Sequence, residues 1–337
     1  MQVNKILISI LNYNGSEDTL ACLQSFYRYE EKSKYCIVIW DNASSENEKQ
    51  VLLNGISKLG LNWHFCSVQE YASLDITEYE LLIVFSPQNL GFAKGNNEVI
   101  NRQLDKFPMI VLLNNDTEFI GSTTSRLVSY LYEHNDIGGV TSAIYYWKQK
   151  DKVWNAGGKF CWGSRKYFTE SYVAKKIKNN ITEQSVEFVT GCYLVLKSEV
   201  LKKYGVFTEK FFFGEEDYEF CMRMAQNKVK LMVLLNEKIY HKVGASISRN
   251  SDMNDMIRKT FIHHLNRFID MKDYYKKRKW DIWRFFSSIY IGLLILKSSN
   301  FRFKLMFRYI KKLNWYAKCR NDVDSEFFLT VIKGEIF

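Results

Sequence analysis

The sequence predicts an α/β protein built on a mostly parallel sheet with helices on both faces. Short apolar runs alternate with amphipathic stretches through the first half of the chain. Val, Ile and Leu fill these runs almost continuously, which is typical of strands buried on both faces. Polar clusters follow four of the runs directly, and in an open α/β sheet ligands bind at the carboxyl ends of the strands.

The first half contains four apolar runs that predict strands and three amphipathic stretches that predict helices. The predicted strands are 5–11, 36–40, 81–86 and 109–116, and the predicted helices are 16–29, 93–107 and 122–134. Because each strand is followed by a helical stretch or a loop long enough for a crossover, neighbouring strands can run parallel.

The second half is more mixed. Strands are predicted at 137–147, 186–197 and 230–242, the last ending on His241. A short helix is predicted at 198–205, with Ser198 as its N-cap and Gly205 closing it. Another helix begins within the stretch GEEDYEFCMRMAQNK, and from about residue 253 onward the pattern is helical, basic and aromatic.

Composition places the protein among globular chains with a large core. Its 337 residues suit one large domain or two smaller ones, and 47% of them are hydrophobic. The seven cysteines are scattered and contain no C-x-x-C pair, so we expect a reduced, cytoplasmic protein without a disulfide framework or zinc cluster. The N-terminal apolar run of about seven residues suits a first strand better than a signal peptide.

The positive charge is concentrated in one segment. The net charge is +10, but residues 272–320 contain fourteen Lys and Arg and only two acidic residues. Residues 280–316 mix these bases with Trp, Phe and Tyr around an apolar core of about twelve residues, whereas a spanning helix needs about twenty. The pattern predicts an interfacial helix on an anionic membrane surface. The alternative is a helical tail packed on the rest of the protein, and no nucleic-acid motif accompanies the basic residues.

The polar clusters supply candidate ligand-binding residues at the predicted sheet edge. They contain Asn12, Asp41, Asn89, Gly91, Asn115 and Asp116. A carboxylate such as Asp41 can accept hydrogen bonds from a ribose or base, and the helix after Gly91 can attract phosphate. Asp116 beside an amide suits a hard divalent cation. The alternative for each cluster is an ordinary Asx turn or helix cap.

The stretch FFFGEEDYEF places three consecutive carboxylates after an apolar run. Such crowding raises the pKa of a carboxyl and can yield a general base, although the dipole of a helix start acts in the opposite direction. Residue spacing places Asp217 on a largely apolar, inward-packing face, so Asp217 is expected to be the most inward of the three acids. Glu215 is expected to be solvated.

The same spacing predicts which residues share each face of this helix. Phe220, Cys221 and Met224 share the face of Asp217 and are expected to pack inward. Glu216, Glu219 and Arg223 lie on another face, where Arg223 can pair with Glu219.

Together the motifs resemble the bacterial family-two glycosyltransferases, and within them rhamnosyltransferase-like enzymes of surface-polysaccharide synthesis. The resemblance covers roughly residues 3–250. The motifs that carry it are, in order, ILNYNGSEDTLACLQS, WDNASSE, NLGFAKGNN, LLNNDTEF, NAGG, FVTGCYLVLKSEVLKKYGVFTEKFFFGEEDYEFCMRM and YHKVGASIS.

The resemblance implies a GT-A fold and inverting transfer from a nucleotide-sugar donor. It implies a catalytic domain over 1–250, with a nucleotide-sugar-binding half at 1–118 and an acceptor-binding half at 119–250. Residues 251–337 then form a helical region that we expect to associate with the membrane.

The resemblance also assigns roles to single residues. Asp41 matches the residue that binds base and ribose, and Asn89 with its glycine loop matches the segment beside the nucleotide. Asp116 and His241 match ligands of Mg²⁺ or Mn²⁺. Asp217 matches the catalytic base, with Glu216 as its neighbour on the acceptor. Gly191 and Cys192 match the acceptor side.

Two positions depart from the family pattern. Asn114 stands where the family's metal-binding motif has its first Asp, and Glu219 stands where the family often has Asp. An amide in place of a carboxylate lowers the negative charge on the metal.

The expected function is transfer of a sugar to a lipid-linked oligosaccharide at the inner face of the cytoplasmic membrane, in O-antigen or capsule synthesis. The donor is dTDP-rhamnose or a UDP-hexose. The alternative is a catalytically inactive GT-A-like scaffold in a polysaccharide assembly complex. A nucleotidyltransferase would need a basic, glycine-rich loop after the first strand, which the sequence LNYNGSED lacks.

Overall fold

A computed structural model describes residues 5–243 and 253–336. The end of the last resemblance motif, GASIS at 244–248, lies outside the described residues. Within the described ranges the strands form one eleven-stranded sheet and one two-stranded hairpin. In chain order the strands are β1 Ile6–Asn12, β2 Tyr35–Asp41, β3 Trp63–Ser67, β4 Leu81–Phe85, β5 Met109–Asn114, β6 Thr117–Phe119, β7 Ile137–Tyr146, β8 Val153–Asn155, β9 Gly158–Cys161, β10 Ser164–Tyr167, β11 Glu183–Val186, β12 Tyr193–Lys197 and β13 Lys230–His241.

The sheet is mixed but mainly parallel, as the sequence predicts. Its strand order is β11-β13-β7-β12-β5-β1-β2-β4-β3, with β6 on β13 and β8 on β7. The half formed by β5, β1, β2, β4 and β3 is parallel throughout. Strand β12 runs antiparallel between β5 and β7, and β13 runs parallel to β7. The parallel half therefore brings the ends of β1, β2 and β5 to one edge.

The helices pack on both faces of this sheet. In chain order they are α1 Ser16–Tyr27, α2 Glu46–Ile56, α3 Val68–Tyr71, α4 Phe92–Asn101, α5 Thr123–Glu133, α6 Glu170–Lys178, α7 Ser198–Tyr204, α8 Glu216–Gln226, α9 Met253–Tyr274, α10 Lys277–Ser298, α11 Phe303–Cys319 and α12 Ser325–Lys333. Alternate residues of β1 enter two separate buried clusters, one on each face. Burial on both faces explains why the strands read as continuous apolar runs.

The prediction of one strand over 186–197 is wrong. Strand β11 ends at Val186 and β12 begins at Tyr193, and the turn between them contains Gly191 and Cys192. The two apolar runs merge in the sequence because the intervening turn is itself buried.

The cap prediction for the next helix is half right. Ser198 is the first residue of α7 rather than its N-cap, and its hydroxyl donates to the carbonyl of Phe107 at 2.5 Å. Gly205 ends the helix at φ +87°, as predicted.

The last four helices are packed against the rest of the protein. Phe261, Leu265 and Phe268 of α9 belong to the same buried cluster as Tyr218 and Phe220 of α8. Across 5–243 and 253–336, no helix is both long and apolar enough to cross a membrane. The helical, basic and aromatic pattern predicted from residue 253 is confirmed, and the buried side of α9 faces the acidic stretch.

Candidate functional site

Asp41 organises the loops that follow β1 and β2. Its Oδ2 accepts a hydrogen bond from Asn12 Nδ2 at 2.7 Å, and its Oδ1 accepts from the backbone N–H of Ser44 at 2.9 Å. The side chain is fully buried in this conformation. Direct contact between Asp41 and a base or ribose therefore stays a prediction, and what the structure places there is a carboxylate that joins two strand ends.

The network extends to the end of β5 through a residue that sequence reasoning missed. The Thr19 hydroxyl donates to Asn12 Oδ1 at 2.9 Å and accepts from Asn115 Nδ2 at 3.0 Å. The same Asn115 amide contacts the carbonyl of Gly15 at 3.3 Å. Three predicted site residues from three strand ends are thus linked by consecutive hydrogen bonds. Thr19 lies in the first turn of α1, where nothing in the local pattern distinguishes it from a solvated residue.

The glycine loop before α4 is tied to the same edge by Asn42. The Asn42 side chain donates to the Gly91 carbonyl at 3.1 Å and accepts from the Leu90 N–H at 3.1 Å. Asn89 Oδ1 accepts from the Gly91 N–H at 2.9 Å. Gly91 opens the turn before α4, as predicted, and it is the N-cap of that helix at φ +79°. The loop is therefore held in place before any ligand binds.

Gly91→Ala is expected to destabilise the protein by more than about 2 kcal/mol, because a left-handed φ costs a side chain about 1–2 kcal/mol and a clash adds to it. A Cβ at this position would lie 2.1 Å from the Phe212 carbonyl oxygen. Urea denaturation measures the change. Gly60→Ala is the matched control, since Gly60 has φ +62° but no atom within 4 Å of the added Cβ. Equal losses in both variants would contradict the close approach of Gly91 to Phe212.

The two predicted metal ligands lie in contact. His241 Nε2 is 2.9 Å from Asp116 Oδ1, and both side chains are buried. Strand β13 delivers His241 at its last residue, while Asp116 follows β5. The Trp154 ring packs on the imidazole edge at 4.4 Å between centroids. Sequence spacing alone could not bring residues 125 positions apart together, but the resemblance did.

The donor set at this pair fits a divalent cation with open coordination positions. The buried His241 Nδ1 has no hydrogen-bond partner within the described residues. In the same part of the chain, no third His, Cys, Asp or Glu joins the pair to form a closed cluster. One carboxylate and one imidazole suit Mn²⁺ or Mg²⁺, which then take water and phosphate oxygens as their other ligands.

Glu215 is buried against Arg267, Arg165 and His263, so the prediction that it is solvated is wrong. Arg267 contacts its carboxylate through Nε at 2.6 Å and also through Nη2, and His263 Nδ1 lies 2.7 Å away. Arg165 Nη1 lies 3.3 Å away on another side. Burial alone would raise the pKa of Glu215, but Arg267, His263 and Arg165 hold it well below its usual range. Glu215 is therefore a buried anion that fixes the start of α8.

Asp217 is the most open of the three acids, so the expectation that it is the most inward is wrong. About 20% of its side chain is exposed, whereas the Glu215 side chain is fully covered and Glu216 is buried. Burial raises the pKa of Asp217, although Arg165, 3.9 Å away, and the backbone amide of Gly191 favour its charged form. An accessible carboxylate with a raised pKa has the properties of a general base.

Glu216, the neighbour of Asp217 in the sequence, is buried. Burial, followed by the charge of Asp217, raises the pKa of Glu216, and its Oε2 has no hydrogen-bond partner among the described atoms. Two adjacent carboxyl groups in a buried site cannot both ionise without a large cost in free energy. Burial therefore favours the protonated form of Glu216 more strongly than that of the partly exposed Asp217.

The rest of α8 follows the predicted pattern on one face only. Phe220, Cys221 and Met224 are buried, as predicted. Arg223 binds Glu219 through Nε at 3.0 Å and Nη2 at 2.8 Å, which confirms that pair. The face of Glu216 and Glu219 is buried too, because α9 packs on it.

Cys192 is a buried residue of the turn before β12. Burial raises the pKa of its thiol, and the charges of Asp116 and Asp217 raise it further. Its carbonyl accepts from the N–H of Asn114 at 2.8 Å. The turn of Gly191 and Cys192 thus contacts the end of β5 through Cys192 and Asp217 through the backbone amide of Gly191.

Sequence reasoning missed the arginine, histidine and asparagine side chains that lie around Glu215 and the start of α8. Arg165 lies on the hairpin of β9 and β10, and no local pattern marks it. His263, Asn266 and Arg267 lie on one face of α9, where Asn266 donates to the carbonyls of Phe213 and Gly214 at 3.0 and 2.9 Å. Their spacing of three and four residues is typical of one helix face and could have identified them. It lies in the segment that the sequence predicts to associate with the membrane.

Asp270 continues this face of α9 by one more turn. It is fully buried, and neither carboxylate oxygen has a hydrogen-bond partner within the described residues. Burial, then the charges of Glu219 and Glu215, raise its pKa well above the usual range. Burial without a hydrogen-bond partner therefore favours the protonated form of Asp270.

Comparison with known proteins gives one family and a set of similar folds. Residues 70–259, more than half of the chain, match the family described as "Glycosyltransferase like family 2". A structure of GalNAc-T7 with UDP, GalNAc and Mn²⁺ is similar at TM-score 0.61 and 13% identity, over 98% of this chain and 56% of that one. A mannosyltransferase from Pyrobaculum calidifontis, in complex with GDP-Man and Mn²⁺, is similar at TM-score 0.52 and 12% identity, over 99% and 81%.

The two structural likenesses are likenesses of fold, since both identities are low. This chain spans about 56% of the length of the GalNAc-T7 structure. A search of curated proteins found no match.

Proposed function

Because this chain belongs to glycosyltransferase-like family 2, we propose that it is an inverting, metal-dependent transferase that moves a sugar from a nucleoside-diphosphate donor to an acceptor hydroxyl. The GT-A fold and the glycosyltransferase domain predicted from the sequence are confirmed. The observation that carries the proposal is the placement of two functional groups around one turn. Asn114, two residues before Asp116 of the buried Asp116–His241 pair, donates to the Cys192 carbonyl, and the backbone amide of the adjacent Gly191 favours the charged form of the partly open Asp217.

In the proposed reaction, Asp217 accepts the proton of the acceptor hydroxyl as that oxygen attacks the anomeric carbon. The bond from the anomeric carbon to the phosphate oxygen breaks, and the nucleoside diphosphate leaves with the electron pair. One base is sufficient, because a single displacement needs no covalent intermediate on the protein. Arg165 favours the charged form of Asp217, so it acts as a positioning residue.

Asp116 and His241 would hold the cation in this scheme. A bound divalent cation neutralises the charge that develops on the leaving diphosphate. The positive end of the α4 dipole, next to Gly91, favours a phosphate of the donor, although the Phe92 N–H already donates to the Phe212 carbonyl at 3.3 Å. The network of Asn12, Thr19 and Asn115 holds the strand ends on which these groups stand.

We further propose a donor, an acceptor and a location. The donor to test first is dTDP-rhamnose, followed by UDP-hexoses. The acceptor is a lipid-linked oligosaccharide of O-antigen or capsule synthesis, met at the inner face of the cytoplasmic membrane. Support for these finer points comes from the order of the seven sequence motifs and from the basic, aromatic segment 272–320.

The first test is metal-dependent stabilisation by nucleoside diphosphates. UDP, GDP and dTDP, each with and without Mn²⁺ or Mg²⁺, are added while the melting temperature is recorded. A ligand at 100 times its Kd stabilises the native state by about 2.7 kcal/mol. We expect one nucleotide to raise the melting temperature by several degrees with metal, and His241→Gln to lose the part that depends on metal.

The matched control is Asp136→Asn, an exposed carboxylate paired with Lys230 on the surface. An equal metal-dependent shift in His241→Gln and in this control would refute the assigned ligands. The inactive-scaffold alternative predicts nucleotide binding without release of sugar. A donor-hydrolysis assay on the same panel separates it from the transferase.

A further inference from the structure

The outward side of α10 is apolar, which is unusual for a helix on a protein surface. Its other side packs inward through residues such as Trp283 and Ile295. Between Asp281 and Lys297 the outward side carries no charged residue over four turns. Its exposed apolar residues are Ile282, Phe285, Phe286, Ile289, Tyr290, Leu293 and Leu294, each between 42% and 64% exposed.

Helix α11 continues this apolar surface. Phe303 and Phe307, one turn apart, are 57% and 67% exposed. A groove of about 470 Å³ lies between the two helices, lined mainly by apolar side chains of both. Arg284, Ser288 and Asn314 form its polar floor, where Asn314 Nδ2 donates to Ser288 Oγ at 2.9 Å. We call the exposed apolar residues of α10 together with Phe303 and Phe307 the apolar face.

A basic stripe borders the apolar face on α11. Lys304, Arg308, Lys311 and Lys318 are all exposed and recur at intervals of four, three and seven residues. Residues at that spacing lie on one side of a helix, adjacent to the side of Phe303 and Phe307. In the described part of the chain, none of these four cations has an ion-pair partner within 4 Å.

The hairpin of β9 and β10 connects the apolar face to Glu215 and Asp217. At the hairpin tip Trp162 is 64% exposed, and its ring lies 6.2 Å from Phe286 of the apolar face. Trp283 Nε1 donates to the Trp162 carbonyl at 2.8 Å. Three residues further along the same hairpin, Arg165 contacts Glu215 and Asp217.

We infer that the apolar face and its basic stripe bind the surface of an anionic lipid bilayer, with the aromatic rings at headgroup level and the bases on lipid phosphates. An apolar stripe flanked by Lys and Arg is the signature of interfacial binding. The inference deepens the proposed function, because a bilayer at this face would present a lipid-linked acceptor beside the hairpin that carries Arg165. Only this link to the acceptor rests on the proposed function. The binding itself does not depend on sugar transfer.

The charge of the basic stripe favours a bilayer over a second copy of the chain as the binding partner. Two copies meeting through this face would bring two basic stripes together, and like charges at close range repel. An anionic surface compensates those charges over the whole length of α11.

The test is sedimentation with vesicles of pure phosphatidylcholine or of phosphatidylcholine with 30% phosphatidylglycerol. We expect the full chain to bind the anionic vesicles at least about tenfold more tightly, and to lose binding as salt is raised. Leu293→Glu with Phe307→Glu should abolish binding. Replacing Lys304, Arg308 and Lys311 by Gln should weaken binding by about tenfold or more.

Matched controls use exposed residues elsewhere. Tyr132→Glu with Ile177→Glu places two charges on apolar positions that are 54% and 40% exposed. Replacing Lys175, Lys176 and Lys178 of α6 by Gln removes three bases outside the stripe. Both controls should bind like the unmodified chain, and melting temperatures verify that every variant is folded.

Two results would overturn the inference. One is equal or absent binding to the two vesicle types. The other is a dimer, measured by light scattering, that Leu293→Glu with Phe307→Glu dissociates while vesicle binding is unchanged. Failure of nucleotide binding in the separate melting assay would instead count against the proposed transferase, so the two failures are distinguishable.

Discussion

Asp217→Asn is expected to abolish sugar transfer while nucleotide binding is retained. The amide occupies the same volume as the carboxylate but cannot accept the acceptor's proton, and a general base contributes about 100-fold or more to the rate. Product formation measures transfer, and the melting shift with nucleotide and metal measures binding. Because burial raises the pKa of Asp217, the wild-type rate should fall as the pH drops through that raised pKa, where the base becomes protonated.

Glu216→Gln is the matched comparison for this substitution. Glu216 adjoins Asp217 in the sequence but is buried, with a raised pKa and an unpartnered Oε2 among the described atoms. We expect this variant to keep measurable transfer. Near wild-type turnover in Asp217→Asn, combined with loss in Glu216→Gln, would move the base to Glu216.

Arg267→Met is expected to destabilise the protein by about 3–5 kcal/mol, the usual cost of removing one partner from a buried ion pair. Glu215 has no exposed side-chain surface, and Arg267 is also buried. The remaining partners, Arg165 and His263, compensate the charge only in part, since the His263 side chain is about half exposed. Urea denaturation gives the free energy of unfolding at neutral pH.

Two further variants distinguish the loss of this buried ion pair from a general loss of packing. Arg102→Met breaks an exposed pair with Glu98 and should cost at most about 1 kcal/mol. Glu215→Gln combined with Arg267→Met should cost less than the sum of the single changes, because no buried charge is then left without its main partner. Additive costs would contradict the buried ion pair.

The pH dependence of the Arg267→Met effect has a definite sign. In the wild type the pKa of Glu215 is depressed on folding, so its stabilisation is present above the unfolded pKa of about 4.3 and is lost as the pH falls below that value. Without Arg267 the depression is smaller, and burial favours the protonated form. The difference in unfolding free energy between wild type and variant should therefore shrink as the pH is lowered through this range.

Much of the fold was predictable because buried parallel strands leave a strong local signal. The strands β1, β2, β4 and β5 are apolar along most of their length, and the sequence predicts each to within a few residues. The missed strands are short or exposed, such as β3 at the sheet edge and the hairpin of β9 and β10. Apolar and polar residues do not alternate clearly in these strands, because little of their surface is buried.

The sequence by itself determined the α/β class, the order of the polar strand ends and, through the resemblance, the pairing of Asp116 with His241. These follow from local patterns and from motif order. Only the tertiary structure decided the ranking of the three acids. Helical spacing predicts an inward Asp217 and a solvated Glu215, but α9 packs across the other face of α8 and buries Glu215 through Arg267, so that Asp217 is the most exposed of the three acids. Burial depends on what covers a face, and the covering helix lies about fifty residues further along the chain.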